Sequence, residues 1–493
     1  MPTSDLIAAL PTKTVSGALP RTVTGIADDS RKVGRGECFV AVPGLRQDAR
    51  RFVPDAVARG AAVVVLEGGA VPEIAVAQVV VPAAREALAR LANAWHGDPS
   101  RAMTMVGITG TNGKTTTSYL VEALLRERGL TPGVVGTVGY VGGTTAMDAS
   151  QTTPDALQLT ELLARMRDDG VQGVAMEVSS HALAQARADA LSFDVAAFTN
   201  LTQDHLDFHG TFDEYRRAKR RLFELTARSP KPRRFGVVNA DDPAGAAMVD
   251  GLPLEVLRFG LGAGADVRAV EHTSGLDGIR MTVATPSGRF ALRSPLIGEH
   301  NVMNLLTAIG VGLALGLAPD AIGGALGGVG AVAGRFEQVK TGQDFLVVVD
   351  YAHTPDALER VLATARKLTG GRLGVVFGCG GDRDRGKRPI MGGIAARLAD
   401  RVWVTSDNPR SERPQAIIDD IVGGMGGATA PAEGYVTEPD RRAAIRSALD
   451  WARRGDTVVI AGKGHETYQI VGSEVLSFDD RAIAKEILQE KLR

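Results

Sequence analysis

At 493 residues the chain is longer than one hydrophobic core usually supports and calls for about three domains. Lys plus Arg total 56 against 57 Asp plus Glu, a balance that excludes the cationic excess of a nucleic-acid or anionic-membrane binder and leaves small molecules as the expected partners. The two cysteines, Cys38 and Cys379, have no CxxC companion, which sets aside a disulfide framework or a zinc site and fits a reducing cytosol. The opening "MPTSDLIAALPTKTVSG" carries no basic segment ahead of a long apolar run, and no stretch reaches the roughly 20 apolar residues of a membrane helix. An untargeted, monomeric, cytoplasmic protein is expected.

In chain order, "GECFVAVPG" (36 to 44), "GAAVVVLE" (60 to 67) and "AQVVVPAAREALARLANAW" (77 to 95) alternate Val-rich strands with an amphipathic helix. "HGDPSRA" then breaks the pattern with Gly and Pro, so the first domain boundary is expected near residue 99. "MTMVGIT", "GVAMEVSS", "VAAFTNLT" and "FGVVNADDP" follow as buried strands with polar tips, and in an open α/β sheet such tips crowd one ligand crevice. A glycine-rich stretch at 323 to 339, short of helix formers, sets a second boundary near 333. Beyond it "FLVVVDYAHTP", "RLGVVFGCGGDRD", "RVWVTSDNPR" and "DTVVIAGKGHE" repeat the pattern as a second doubly wound sheet, closed by the helix "DDRAIAKEILQEKLR". The expected fold is α/β in three domains, residues 1–98, 99–333 and 334–493, with a central P-loop domain and a Rossmann-like C-terminal one.

"TMVGITGTNGKTTT" (104 to 117) places Lys114 and three threonines at the start of a helix, where free N–H groups, a cation and hydroxyls suit a polyphosphate. The general Walker spacing wants a glycine at 108 and finds Ile108, yet Gly110 and Gly113 still allow close backbone approach. Glu177 and His205 stand at strand tips, either as satisfied structural groups or as metal ligands near a phosphate. Lys219, in "EYRRAKRRLFE", reads by itself as a solvated basic helix residue.

"TGTNGKTT", "MEVSSHAL", "TNLTQDHLDFHG", "AK" at 218 and 219, "GEHNVMN", "GRFE", "DYAHTPDAL" and "GKGHE" occur in the order found in the Mur ligases. The chain resembles that family, the ATP-dependent amide-forming enzymes of peptidoglycan precursor synthesis, through nearly its whole length. These ligases share TGTNGKT in place of the Walker glycine spacing.

The resemblance implies that Gly110, Thr111, Asn112, Gly113, Lys114, Thr115 and Thr116 hold the ATP phosphates, with Asn301, Arg335, Asp350 and His353 in nucleotide-contacting segments. Asn301 also reads as a helix cap. Thr115, Glu177, His205 and Lys219 would serve two magnesium ions, Lys219 after carbamylation turns its cation into an anionic oxygen ligand. Ser30, Thr152, Thr153, Ser179, Gln185 and Arg187 match positions for the UDP-muramoyl-dipeptide. Two departures from the family pattern, Gln151 and Ala49, leave contacts at 45 to 47 unassigned.

Arg383, Asp407, Asn408, Pro409, Arg410, Gly462 and Glu466 match an amino-acid pocket. Members that add meso-2,6-diaminopimelate carry "DNPR", whose arginine fork suits that substrate's second carboxylate. The implied reaction passes through an acyl phosphate that the incoming amine attacks. A lysine-adding ligase stays open, whereas "DNPR" and "DDSR" speak against a folylpolyglutamate synthetase with its related loop.

Overall fold

A computed structural model describes residues 1–44, 48–149, 151–426 and 431–491, so the unassigned positions 45 to 47 lie outside the described residues. The chain forms two compact units, one of residues 1–269, 283–290 and 303–325, the other of 270–282, 291–302 and 326–493.

In the first unit, strands β1 (Thr14–Ser16), β2 (Ile26–Ala27), β3 (Cys38–Ala41), β4 (Val63–Glu67) and β5 (Ala77–Val81) lie in the order β1-β5-β4-β3-β2, parallel except for β1. Side chains alternate along a strand, so Val63 and Val65 join one apolar cluster and Val64 and Leu66 the other. A strand covered on both faces must be apolar throughout, which is why these runs show no alternation.

The same unit holds β6 (Thr104–Thr109), β7 (Pro132–Val135), β8 (Tyr140–Gly142), β9 (Thr145–Met147), β10 (Gly173–Glu177), β11 (Val195–Phe198), β12 (Phe235–Asn239) and β13 (Glu255–Gly260). Their order is β13-β12-β11-β6-β10-β7-β8-β9. Strand β6 sits between β10 and β11 and is parallel to both. The strand order reverses there, and the crevice at the carboxyl ends of β6, β10 and β11 is where an open sheet receives a ligand. Three longer strands come next in sequence: β14 (Val267–Gly275), β15 (Gly278–Thr285) and β16 (Gly288–Ser294).

The second unit carries β17 (Glu337–Gln338), β18 (Leu346–Asp350), β19 (Leu373–Phe377), β20 (Arg401–Val404), β21 (Tyr435–Thr437) and β22 (Thr457–Ala461) in the order β17-β18-β22-β19-β20-β21. All neighbours are parallel except β17 with β18. A separate hairpin of β23 (Tyr468–Val471) and β24 (Glu474–Ser477) precedes the last helix, Asp480–Lys491. That helix buries Ile483, Ile487 and Leu488 beside Ile445 and Leu449.

One expectation needs correction. The glycine-rich stretch from 323 is helical at its start, within Pro319–Gly327. Ile322 and Leu326 are fully buried there, and two such side chains outweigh the cost of about 1 kcal/mol for each glycine in a helix.

Candidate active site

The loop after β6 is held in shape by its glycines and by the tip of β11. Gly110 (φ 148°) and Gly113 (φ 86°) take conformations that side chains disfavour. A Cβ at Gly110 would collide with Thr199 Oγ1, and one at Gly113 with Asn304 Oδ1. The tip of β11 grips the loop: Thr111 N donates to Asn200 O (2.8 Å), Asn112 N to Asn200 Oδ1 (3.0 Å) and Thr199 Oγ1 to Asn112 O (2.6 Å). Lys114 Nζ folds over it, donating to Gly110 O (3.0 Å) and Thr111 O (2.9 Å). Ile108 is explained by its place inside β6, fully buried and paired with Glu177 and Ala197; the turn begins two residues later, at Gly110.

Beside the loop, Thr115 Oγ1 donates to Glu177 Oε2 (3.1 Å). The Glu177 carboxylate is buried and accepts further from Thr137 N (2.8 Å) and Thr137 Oγ1 (3.1 Å). A buried carboxylate and a neighbouring hydroxyl form the hard oxygen set that magnesium prefers.

Lys219 overturns the reading as a solvated residue, because its side chain is 1% exposed. Tyr215, Lys219, Leu222, Phe223 and Thr226 share the buried stripe of the helix Phe212–Arg228. Lys219 Nζ donates to Gly110 O (2.7 Å) and lies 4.3 Å from the Tyr215 ring centroid. Burial, reinforced by the nearby Lys114 cation, holds its amine well below the usual lysine range.

His205 takes a left-handed backbone (φ 53°), with Nε2 3.4 Å from Asp204 Oδ2 and its ring 4.7 Å from that of His181. Partial burial, with repulsion from His181, Lys114 and Lys219, lowers its pKa against the pull of Asp204. Thr115, Glu177 and Lys219 are thus joined to one another or to the loop, while His205 stands in a histidine pair. Among the described residues, no three His, Cys, Asp or Glu side chains form a metal cluster.

The positions expected to hold a muramoyl-peptide form a second network, which begins at the same strand. Thr153 Oγ1 donates to Glu177 O (2.9 Å), and Ser179 N to Thr153 Oγ1 (3.1 Å). Thr152 Oγ1 meets Thr137 Oγ1 at 3.1 Å, and Ser179 Oγ caps the helix Ser180–Ala184 by accepting from Ala182 N (3.1 Å). Arg187 bonds Thr153 O (2.8 Å), Gln185 Oε1 (2.7 Å) and Gln151 Oε1, so the unusual Gln151 belongs to the network. Ser30 lies apart, opening the 3-10 turn Ser30–Lys32 after β2.

In the second unit the strand tips again converge. Asp350 Oδ2 accepts from Phe336 N (2.7 Å); burial raises its pKa, opposed by Arg335 and by backbone donors. The Arg335 guanidinium sits 4.9 Å from the Tyr351 ring centroid, and His353 Nδ1 lies 2.8 Å from Tyr351 O. Asn301 donates to Ile297 O (2.8 Å), closing the start of its own helix.

Asn408 Nδ2 donates to Glu466 Oε2 (2.9 Å), and the fully buried Lys463 bonds Asn408 Oδ1 (3.1 Å) and Glu466 Oε2 (3.2 Å). Asp407 lies 3.8 Å from Lys463 Nζ, and a Cβ at Gly462 (φ 118°) would crowd it at 2.8 Å. Arg410 Nη1 donates to Gly381 O (2.9 Å), while Pro409 packs so tightly that a Cβ at Gly381 would strike its carbonyl. Arg383 is exposed, with Nη1 3.5 Å from Asp382 O.

Sequence reasoning missed Thr199 and Asn200, although both lie in a polar strand tip. It missed Lys463 inside "GKGHE". It also missed Arg441, whose guanidinium ties Ser406 O (3.2 Å) to Ala461 O (3.0 Å) and so joins the ends of β20 and β22.

A glycine loop at a switch point, flanked by a buried carboxylate and a buried amine, is the equipment of an enzyme that works on a nucleoside triphosphate. The chain belongs to the Mur ligase family. Residues 22–96 match "Mur ligase family, catalytic domain", 108–312 "Mur ligase middle domain" and 334–464 "Mur ligase, glutamate ligase domain". The chain is 46% identical to a UDP-N-acetylmuramoyl-L-alanyl-D-glutamate--2,6-diaminopimelate ligase of Solibacter usitatus, over 95% of this chain and 94% of that one. It is 47% identical to the ligase of the same name from Gloeobacter violaceus, with the same coverage.

A solved ligase of that name is 33% identical, with a TM-score of 0.70 and 99% of each chain covered. Fold alone is shared with MurF of Acinetobacter baumannii, at 21% identity, a TM-score of 0.62 and coverage of 99% and 98%. The three-domain α/β architecture of the family is therefore the architecture of this chain.

Proposed function

We propose that this chain joins meso-2,6-diaminopimelate to UDP-N-acetylmuramoyl-L-alanyl-D-glutamate at the expense of ATP, as a cytoplasmic monomer with domains meeting near residues 99 and 333. The observation that carries the reading is the join at the central switch point. Glu177 touches Thr115 of the phosphate loop through its side chain and Thr153 of the muramoyl-peptide network through its carbonyl. This supports a reading in which one strand tip serves both the phosphate donor and the carboxylate that is to be activated. The relatives named as diaminopimelate ligases support the choice of substrates.

In this reading the terminal carboxylate of the dipeptide attacks the γ-phosphorus, ADP leaves, and an acyl phosphate forms. Lys114 and the loop N–H groups hold the phosphate oxygens and offset their growing charge. Thr115, Glu177, His205 and carbamylated Lys219 would hold magnesium, which when bound adds Lewis-acid neutralisation of the phosphates. The diaminopimelate amine then attacks the acyl carbon and phosphate departs. Arg410 grips the distal carboxylate, and Glu466 is suited to the distal ammonium.

Phosphate release from ATP, magnesium and the UDP-muramoyl-dipeptide, with diaminopimelate, lysine or neither, tests the proposal. Release is expected with diaminopimelate. Equal release with no amino acid would remove the ligase reading, and preference for lysine would redirect it.

A further inference from the structure

The hairpin of β23 and β24 is a two-stranded sheet of its own, outside the six-stranded one. Its second strand is exposed at every residue, Val475 at 68%, so it adds little to the core. Its first strand and the turn that follows it instead hold the loop 407–410 at four points. Gln469 Nε2 donates to Asp407 O (2.8 Å) and Ile470 N to Asn408 Oδ1 (3.0 Å). Arg410 N donates to Ile470 O (3.1 Å), and Gly472 N to Arg410 O (2.8 Å). Arg410 itself has a φ of 53°, a region a long side chain rarely adopts without surroundings that enforce it. Both backbone polar groups of the strained residue are thus captured by one hairpin, the N–H by β23 and the carbonyl by the turn after it.

We infer that the hairpin Tyr468–Ser477 is a specificity element, with Gln469 as the positioning residue that fixes the loop so that the Arg410 guanidinium meets a substrate's distal carboxylate. The inference rests on the reading that Arg410 receives that carboxylate. Gln469 touches no substrate in this scheme; it is 9% exposed and acts through the Asp407 carbonyl. Gly472 (φ 61°) completes the clamp at a position where a side chain is strained. A loosened loop would still admit an amino acid but would lose its preference for one with a second carboxylate.

The test uses the full-length chain with Gln469→Leu, Gln469→Asn and Gly472→Ala, and Arg410→Ala in parallel. KM and kcat are measured for diaminopimelate and for lysine, KM for ATP, and melting temperature for folding. Gln469→Leu is expected to raise KM for diaminopimelate about five- to tenfold, the size of one lost hydrogen bond, and Gly472→Ala, through strain at its positive φ, by a similar factor. The diaminopimelate-to-lysine preference should fall by the same factor, with kcat and KM for ATP within about twofold. Gln469→Asn, which keeps an amide donor, should recover part of the loss.

An unchanged preference in both Gln469→Leu and Gly472→Ala, while Arg410→Ala abolishes it, would overturn the inference and leave the Arg410 reading standing. A fall in kcat alone, with KM and preference intact, would also overturn it. If Arg410→Ala leaves the preference unchanged, the reading beneath it falls as well. Should Gln469→Leu fail to fold, Gly472→Ala carries the same test.

Discussion

The amine nitrogen of Lys219 lies 2.7 Å from the carbonyl oxygen of Gly110, so a side chain from a helix 109 residues further along is tied into the backbone of the phosphate loop. Burial and the neighbouring Lys114 favour its neutral form. A neutral amine is the form that adds to carbon dioxide with loss of a proton, and a carbamate so formed would set an anionic oxygen in place of the amine.

Lys219→Met is expected to lower kcat by about a hundredfold or more, the scale of losing one charge-stabilising group at a phosphoryl-transfer centre. Phosphate release at saturating substrates checks this. Activity within threefold of the parent would remove Lys219 from the metal site.

The parallel strands were legible because a strand buried on both faces is apolar throughout, as in Val63–Glu67. The phosphate loop was legible because its glycines and Lys114 are local in sequence. Lys219 was not: it sits in the charged run "YRRAKRR", and only the packing of its helix against β6 and β11 turns it inward. Arg388 and Arg441 escaped notice for the same reason, since their carboxylate partners lie 24 or more residues away. The helix Pro319–Gly327 was missed because burial outweighed glycine propensity.

Arg410→Ala is expected to cut kcat/KM for diaminopimelate by about a hundredfold, the loss of a charge-assisted bidentate contact. KM for ATP should stay within about twofold, because the groups that hold Arg410 belong to Gly381 and to the hairpin residues Ile470 and Gly472. Arg410→Lys should restore only part of the loss, since an ammonium cannot reproduce the fork. Initial rates at varied diaminopimelate give the answer, and equal losses for diaminopimelate and lysine would contradict it.

Glu412 connects stability to pH. Its carboxylate receives Arg388 Nη2 (2.8 Å) and Asp382 N (2.6 Å), and hydrogen bonds from the Arg388 guanidinium, then from Asp382, hold its pKa down at about 2. A depressed acid adds stability that is present above its unfolded value of 4.5 and is lost as pH falls through about 2. Glu412→Gln is expected to cost about 2 kcal/mol at neutral pH, since the buried Arg388 keeps Asp420 as a partner. Denaturant melts should show the gap between parent and variant narrowing from pH 4.5 toward 2. A gap that widens on acidification would refute the assignment.

Arg441 and Asp480 are both fully buried and meet in two parallel hydrogen bonds of 2.8 and 2.7 Å. Removing one partner strands the other charge away from water, so Arg441→Met alone should cost about 3–5 kcal/mol. Removing both leaves no buried charge, and Arg441→Met with Asp480→Leu should recover much of that loss. The carbonyls of Ser406 and Ala461 would still lack the donor that joins β20 to β22. Those strands lead into Asp407–Arg410 and Gly462–Glu466, so the double variant is expected to melt near the parent yet show a raised KM for the amino acid. A double variant with parental stability and parental KM would mean that Arg441 holds the fold without shaping the pocket; one as unstable as Arg441→Met would mean that the carbonyl contacts, not the ion pair, carry its energy.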